Sequence, residues 1–174
     1  LFRSSAASDV YKRQIQENLR VIRNSTIYGI PYKKNLENIE LILDLKAPEI
    51  LRNLSETGIP TMKDLSESFP KFARMALSAD RNEQETEDFK FLTFLKSQFQ
   101  TRSTIPRQGS DPDAVLSRSE AFLKTNDLEK SLFELTQLDG IALKVMEPWR
   151  ISAENRINSL SVSYTHLTLP TNGT

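Results

Sequence analysis

Apolar residues recur at helical spacing along most of this chain, in runs separated by glycine, proline or charged residues. Leu19, Ile22 and Ile27 begin a pattern that stops before the Gly29-Ile30-Pro31 turn. A second pattern predicts a helix over about residues 32–45, because its leucines and isoleucines repeat every three to four positions. The first part of the chain is therefore predicted to be helical.

Helix-boundary signals follow in the next stretch. Pro48 suits the first turn of a helix, and Gly58 suits the left-handed position at its carboxyl end. Residues 61–64 (TMKD) resemble a capping box, which predicts a short helix that ends near Phe69-Pro70. A further helix is predicted over about residues 70–79, followed by a charged loop or frayed helix end at 80–87.

The most amphipathic stretch is 88–100 (DFKFLTFLKSQFQ). On a helical wheel, a broad apolar arc faces away from Lys90, Thr93, Ser97 and Gln100. The residues that we assign to lipid contact are Phe89, Phe91, Leu92, Phe94, Leu95 and Phe99, with Lys90 and Lys96 attracted to anionic headgroups. An ordinary core helix with a wide apolar face explains the same pattern, and this alternative stays open.

Three more helices are predicted after a connector at 101–110 (TRSTIPRQGS). Asp111-Pro112 combines an N-cap residue with a proline for the first turn. Breaks at Asn126-Asp127 and Asp139-Gly140 separate helices over about 111–125, 128–138 and 141–160, and Pro148 is expected to kink or split the last one. The chain is therefore predicted to be all-α, a bundle of short helices that ends in a compact three-helix array.

Both ends of the chain resemble translated sequencing-adaptor DNA. Residues 4–14 (SSAASDVYKRQ) back-translate into DNA whose reverse complement, read in a shifted frame, encodes residues 162–171 (VSYTHLTLPT). We therefore interpret residues 1–14 and 161–174 as adaptor-derived and residues 15–160 as the natural segment. The adaptor-derived ends are expected to be disordered or to pack adventitiously.

This exclusion changes the chemistry that the chain offers. The only histidine, His166, lies in an adaptor-derived end, and the chain has no cysteine. Thiol or imidazole catalysis and Cys/His zinc sites are therefore excluded from the natural segment. Residues 15–160 carry 20 Lys and Arg against 22 Asp and Glu, whereas nucleic-acid binding requires a basic surface. We expect no enzymatic activity, no cofactor, no metal and no nucleic-acid partner.

An ordered set of motifs runs from Gly58 to Arg156. It comprises Gly58-Ile59-Pro60-Thr61, Leu65, Phe69-Pro70, Ala73-Arg74, Arg102-Ser103, Pro106-Arg107-Gln108-Gly109, residues 111–118 (DPDAVLSR), Asn126-Asp127-Leu128, the row Leu132, Leu135 and Leu138, then Trp149 and Arg156. This set resembles the C-terminal region of bacterial members of the mitofilin family of inner-membrane proteins. The most specific part is 102–120, although Ser119 stands where the family more usually has alanine.

The resemblance implies a membrane-organising protein. Family members carry one N-terminal transmembrane helix, a coiled coil and this helical domain, which faces the periplasm in bacteria and helps to shape inner-membrane invaginations. It implies self-association, contact with the membrane lipid surface and an unidentified protein partner, and it makes 111–160 the mitofilin-like domain. A different interpretation is a soluble tetratricopeptide-like adaptor, because the predicted helices of 111–138 also match one repeat unit.

The candidate partner-binding or structural residues are Arg102, Arg107, Asp111, Asp113, Arg118, Trp149 and Arg156. The arginines suit bidentate anion recognition. Local pairing is the alternative for Arg107, with Asp111 or Asp113, and it is the favoured interpretation for Arg118, which has Asp113 and Glu120 in reach. Asp111 and Asp113 are best explained as an N-cap and a favourable charge at the helix dipole. A single Trp is enriched in binding hot spots, but on a helical apolar row it more often lies in the core.

Overall fold

The structure is a computed structural model that describes residues 2–83 and 109–166. Within these ranges it contains seven α-helices and no strand, which confirms the all-α prediction. The helices are α1 (Phe2–Tyr28), α2 (Lys33–Leu43), α3 (Glu49–Asn53), α4 (Met62–Glu83), α5 (Pro112–Lys124), α6 (Leu128–Leu135) and α7 (Gly140–His166).

The chain divides into two compact units. The first comprises Leu1–Thr61 and Asn155–Thr174, and the second comprises Met62–Glu154, so α7 contributes to both. Helix α4, which in sequence follows the N-terminal helices, groups with α5 and α6. The domain boundaries predicted at 101–110 fall in a stretch of which the structure describes only residues 109 and 110.

The core of the first unit is formed by α1, α2 and α3. Its buried apolar residues are Leu19, Ile22, Tyr32, Leu36, Ile39, Leu51 and Ile59. Tyr32 ties α2 to α3, because its hydroxyl donates to the Leu51 carbonyl at 2.8 Å and its backbone N–H donates to the Ser55 carbonyl at 2.8 Å. Burial raises the pKa of Tyr32 to about 12, since the phenolate would lose its hydration.

Helix α5 is the central helix of the second unit and packs against both α4 and α6. Four consecutive residues, Ala114, Val115, Leu116 and Ser117, are buried. Successive residues of a helix point about 100° apart, so burial of four in a row requires cover on every side of the helix.

Helix α4 corrects the prediction of two helices that separate at Pro70. The helix is continuous from Met62 to Glu83, and Pro70 lies inside it. A proline inside a helix costs about 3 kcal/mol, but Leu65, Phe69, Ala73 and Ala76 form one buried stripe across it. Burial of this stripe offsets the lost hydrogen bond. The charged residues 80–83 also belong to the helix.

Of the kink or split predicted at Pro148, the split does not occur, because helix α7 is continuous through this residue. Pro148 is exposed, so the carbonyl of Lys144 that it leaves without an intrahelical donor lies on a face that water reaches. The helix also continues beyond residue 160 to His166, and α1 begins at Phe2. Of the two outcomes expected for the adaptor-derived ends, disorder is contradicted for residues 2–14 and 161–166, and packing is seen at Val162, which lies against the first core.

Two further boundaries differ from the predictions. Helix α3 ends at Asn53, so Gly58 lies four residues beyond its C-cap, although it does adopt the left-handed conformation with φ +82°. Helix α6 ends at Leu135, and Leu138 is buried from the turn that follows. Both helices end early because local turns satisfy their last carbonyls.

Candidate functional site

The start of α5 is held by side-chain capping. The Asp111 side chain accepts a hydrogen bond from the Ala114 N–H at 3.0 Å, and Pro112 occupies the first turn. Asp113 lies in the same first turn, where a negative charge complements the helix dipole. The capping role predicted for Asp111 is confirmed, and its carboxylate is therefore occupied by the backbone.

Arg118 joins three parts of the second unit. Its Nε donates to Glu134 Oε2 on α6 at 2.9 Å, and its Nη1 donates to the Gly109 carbonyl before α5 at 2.7 Å. Its Nη2 also lies 3.3 Å from Gln137 Oε1 in the turn after α6. Arg118 therefore fixes the angle between α5 and α6 and holds the residues that precede α5.

Arg118 forms an ion pair with Glu134 on the neighbouring helix, a partner that local spacing did not predict. The two side chains of the Arg118–Glu134 pair are only 22% and 14% exposed, so the pair is shielded from water on most sides. Glu120, one of the acidic residues predicted to be in reach, has its Oε1 3.9 Å from Lys124 Nζ. Glu134 on α6 is a favourable partner because the planar guanidinium presents several N–H donors. Arg118 can therefore donate to Glu134 and to the Gly109 carbonyl at the same time.

Two buried serines join α5 and α6. The Ser119 hydroxyl donates to the Ser131 carbonyl at 3.0 Å, and the two hydroxyl oxygens are 2.8 Å apart. Both residues are fully buried. Ser119 and Ser131 thus form a buried polar contact between α5 and α6.

Asp127 begins α6. Its side chain accepts from the Lys130 backbone N–H at 3.1 Å and contacts Lys130 Nζ at 2.7 Å. The side-chain hydrogen bond from Lys130, followed by the backbone hydrogen bond, lowers the pKa of Asp127. The same contact raises the pKa of Lys130. Together with Asn126, which adopts a left-handed φ of 58°, Asp127 forms the turn of the α5–α6 hairpin.

Trp149 lies in the core of the second unit, as predicted for a residue on a helical apolar row. It is 1% exposed, and its Nε1 donates to the Leu65 carbonyl at 3.0 Å. Its ring packs edge-on against Phe69 with the centroids 4.9 Å apart. A side chain in this position holds α4 against α7 and has no exposed surface for a partner.

Arg156 holds the Gly58–Thr61 turn of the first unit. Its Nη1 donates to the Pro60 carbonyl at 2.9 Å, across a separation of 96 residues. The same turn approaches the Gly29 turn so closely that a Cβ at Gly58 would lie 2.2 Å from the Gly29 carbonyl oxygen. Arg156 and the Gly58–Thr61 turn, although far apart in the chain, therefore meet in one structural contact.

The remaining predicted residues fall outside the described ranges. These are the lipid-contact candidates Phe89, Lys90, Phe91, Leu92, Phe94, Leu95, Lys96 and Phe99, together with Arg102 and Arg107. Their assignment stays a prediction from sequence. Glu134, Gln137 and Ser131 are the contact residues that sequence reasoning missed, because each meets its partner between helices and no local pattern reports such a pairing.

The described residues offer no constellation for metal chemistry. Across residues 2–83 and 109–166, no group of three or more acidic, histidine or cysteine side chains is placed to hold a metal ion. Within the same ranges, no helix combines the length and the apolarity needed to cross a bilayer.

Comparison with known proteins adds no relative. Neither the family models, nor the curated proteins, nor the solved structures match this chain.

Proposed function

We propose that this chain is the C-terminal helical region of a membrane-anchored, mitofilin-like protein that organises the bacterial inner membrane. In this proposal the region faces the periplasm, has no enzymatic activity, associates with further copies of itself and contacts lipid. The supporting observation is that motif residues distant in sequence make the structural contacts of the fold. Arg156 holds Pro60, and Trp149 holds Leu65 and Phe69.

Such a set of contacts is expected of a scaffold. The catalytic groups of an enzyme converge on a cleft, whereas Arg118, Trp149 and Arg156 donate to backbone carbonyls and fix helix positions. Because these side chains are used in contacts within the fold, a binding partner would have to contact other residues on the exposed helix faces. This arrangement supports a domain that presents helix faces to a partner or a membrane.

The lipid part of the proposal rests on the amphipathic sequence of 88–100. Its phenylalanines would enter the headgroup region, and Lys90, Lys96 and Arg102 would each contribute about 1 kcal/mol toward an anionic surface. Three basic residues aid binding but do not secure it, so the aromatic arc carries most of the expected affinity.

Co-sedimentation with vesicles tests this part. The full chain should pellet with vesicles that contain anionic lipid, and the double substitution Phe91→Glu, Phe94→Glu should abolish pelleting. Phe133→Glu is the matched control, because Phe133 is 69% exposed on α6 and lies outside the predicted lipid segment. Equal pelleting of both variants, or no pelleting of the unchanged chain, would reject lipid contact and favour the adaptor interpretation.

Sedimentation velocity tests self-association. The proposal requires a species larger than the 19.9 kDa chain that increases with protein concentration. A single monomeric species over the whole concentration range would contradict it.

A further inference from the structure

Three leucines at the carboxyl end of α2 are left in water. Leu41 is 83% exposed, Leu45 is 65% exposed and Leu43 is 41% exposed. Single exposed leucines are common on protein surfaces, but a group of them at one place marks an interaction site. We call Leu41 and Leu45, which line one depression, the leucine patch.

The backbone holds this patch in a defined shape. Asp44 ends α2 in the left-handed conformation with φ 50°, and its N–H donates to the Glu40 carbonyl. The Glu40 side chain then accepts from the Ala47 N–H at 2.7 Å, which folds the following residues back toward the helix. Leu41 and Leu45 consequently line one depression of about 490 Å³.

The rim of the depression is acidic. Glu37, Glu40 and Asp44 line it together with one lysine, Lys46. The carboxyl end of α2 adds the negative end of the helix dipole at the same place. The patch therefore combines an apolar floor with a negative potential.

This charge decides between possible occupants. An anionic membrane would be repelled by the three carboxylates, and two such patches facing each other would repel in the same way. The patch instead fits a helix that carries apolar and basic side chains together. Residues 88–102 of this chain have that composition, since large apolar residues alternate there with Lys90, Lys96 and Arg102 against a single acidic residue, Asp88.

We propose that the leucine patch of one copy binds residues 88–102 of a second copy. The inference rests on the self-association in the proposed function and names the surface that would carry it. Because the same aromatic arc cannot lie in lipid and on the patch at once, membrane binding and this contact between copies exclude each other.

A peptide of residues 88–102 is the probe. It carries a fluorescent label and is titrated with the full chain that bears Phe91→Glu and Phe94→Glu, so that the patches are not occupied by the chain's own segment. Fluorescence anisotropy should report saturable binding. Adding Leu41→Ser and Leu45→Ser should weaken the affinity by about tenfold or more, because two leucines lose their buried contacts.

Charge reversal tests the acidic rim. Glu37→Lys with Asp44→Lys should weaken peptide binding severalfold, and more strongly at low salt, because surface electrostatics is screened by ions. Phe133→Ser is the matched control for loss of an exposed apolar side chain elsewhere and should leave the affinity unchanged. A scrambled peptide of the same composition should bind at least several times more weakly.

The outcomes separate this inference from the proposed function. Unchanged peptide affinity in the leucine or the charge variant, or equal affinity for the scrambled peptide, overturns the inference, while vesicle binding and self-association are measured independently. Peptide binding at the patch by a chain that remains monomeric at every concentration overturns the second copy as the occupant. Loss of both peptide binding and self-association in the Leu41→Ser, Leu45→Ser variant supports it.

Discussion

Gly58 and Gly29 bring two backbone turns of the first unit into close approach. Gly58 has a φ of +82° and no room for a side chain, because the Gly29 carbonyl occupies the place of a Cβ. Arg156 holds the same turn from α7 through the Pro60 carbonyl. Gly58 and Arg156, which are nearly a hundred residues apart in the chain, thus both support the position of this one turn.

Gly58→Ala should lower the free energy of unfolding by about 2 kcal/mol or more, because it adds both left-handed strain and a steric clash. Gly140→Ala is the control, since Gly140 also has a positive φ of 54° and reports the strain by itself, about 1 kcal/mol. Urea denaturation followed by circular dichroism measures both. Equal losses in the two variants would show that the close approach to Gly29 costs nothing.

Trp149 contributes through its ring and through its indole N–H. Trp149→Phe keeps the aromatic contact with Phe69 but removes the hydrogen bond to Leu65, and should cost about 1–2 kcal/mol. Trp149→Ala should cost about 3–5 kcal/mol, because it also leaves a cavity.

Thermal and urea unfolding by circular dichroism measure these losses, and Phe133→Ala should change stability by less than about 0.5 kcal/mol because it is exposed. A Trp149→Ala chain of unchanged stability would contradict the buried position. Because the expected loss of stability is large, reduced partner binding by a Trp149 variant would be explained by unfolding and would not show that Trp149 contacts the partner.

At the scale of the helices, capping residues set where elements begin and packing sets how far they extend. Asp111 and Asp127 each accept from the backbone three residues later, and both starts follow from sequence. The continuation of α4 through Pro70 could not be predicted locally, because it depends on the stripe that the whole helix buries. Proline rules describe an isolated helix, and tertiary burial overrides them here.

The α5–α6 turn should depend on pH through Asp127. Its pKa is lowered in the folded state by the hydrogen bond from Lys130, so its contribution is complete above the unfolded value of 3.8 and is lost as the pH falls through the lower folded value. Chemical-shift titration of the Asp127 carboxyl group should give a midpoint below 3.8.

Lys130→Ala should move this midpoint upward, because the largest cause of the shift is removed. Asp127→Asn should retain the N-cap and lose the acid-dependent part of the stability. A midpoint that does not respond to Lys130→Ala would contradict the contact.

At the scale of the whole molecule, the adaptor-derived ends contribute to the fold that this chain adopts. Val162 packs against the core of the first unit, and Ser163 is buried beside it, although residues 162–171 match the reverse complement of the DNA for residues 4–14. An apolar residue in register with a helix is buried whatever its origin, because burial depends on position and hydrophobicity alone.

A chain trimmed to residues 15–160 should remain helical and lose about 1 kcal/mol of stability, since Val162 is only partly buried. Circular dichroism of the trimmed and full chains, compared per residue, and urea denaturation measure the change. Val162→Ser in the full chain should reproduce most of the loss. A trimmed chain without helical signal would mean that the adaptor-derived ends are required for folding.

Part of the candidate site could be predicted from the sequence. The cap at Asp111, the core position of Trp149 and the left-handed conformation of Gly58 are each encoded within a few neighbouring residues. The partners of Arg118 and Arg156 are not, because Glu134 and the Pro60 carbonyl are brought to them only when separate helices pack.

The sequence by itself determines the helical class and the starts of α5 and α6, because these depend on residue types and on spacings within one or two helical turns. Tertiary structure decides the rest. It makes α4 and α7 continuous through their prolines and groups α4 with α5 and α6. It also leaves Leu41 in water while Leu36 and Ile39 on the same helix are buried. The physical reason is that burial is shared among residues far apart in the chain, so its balance is set only when the helices meet.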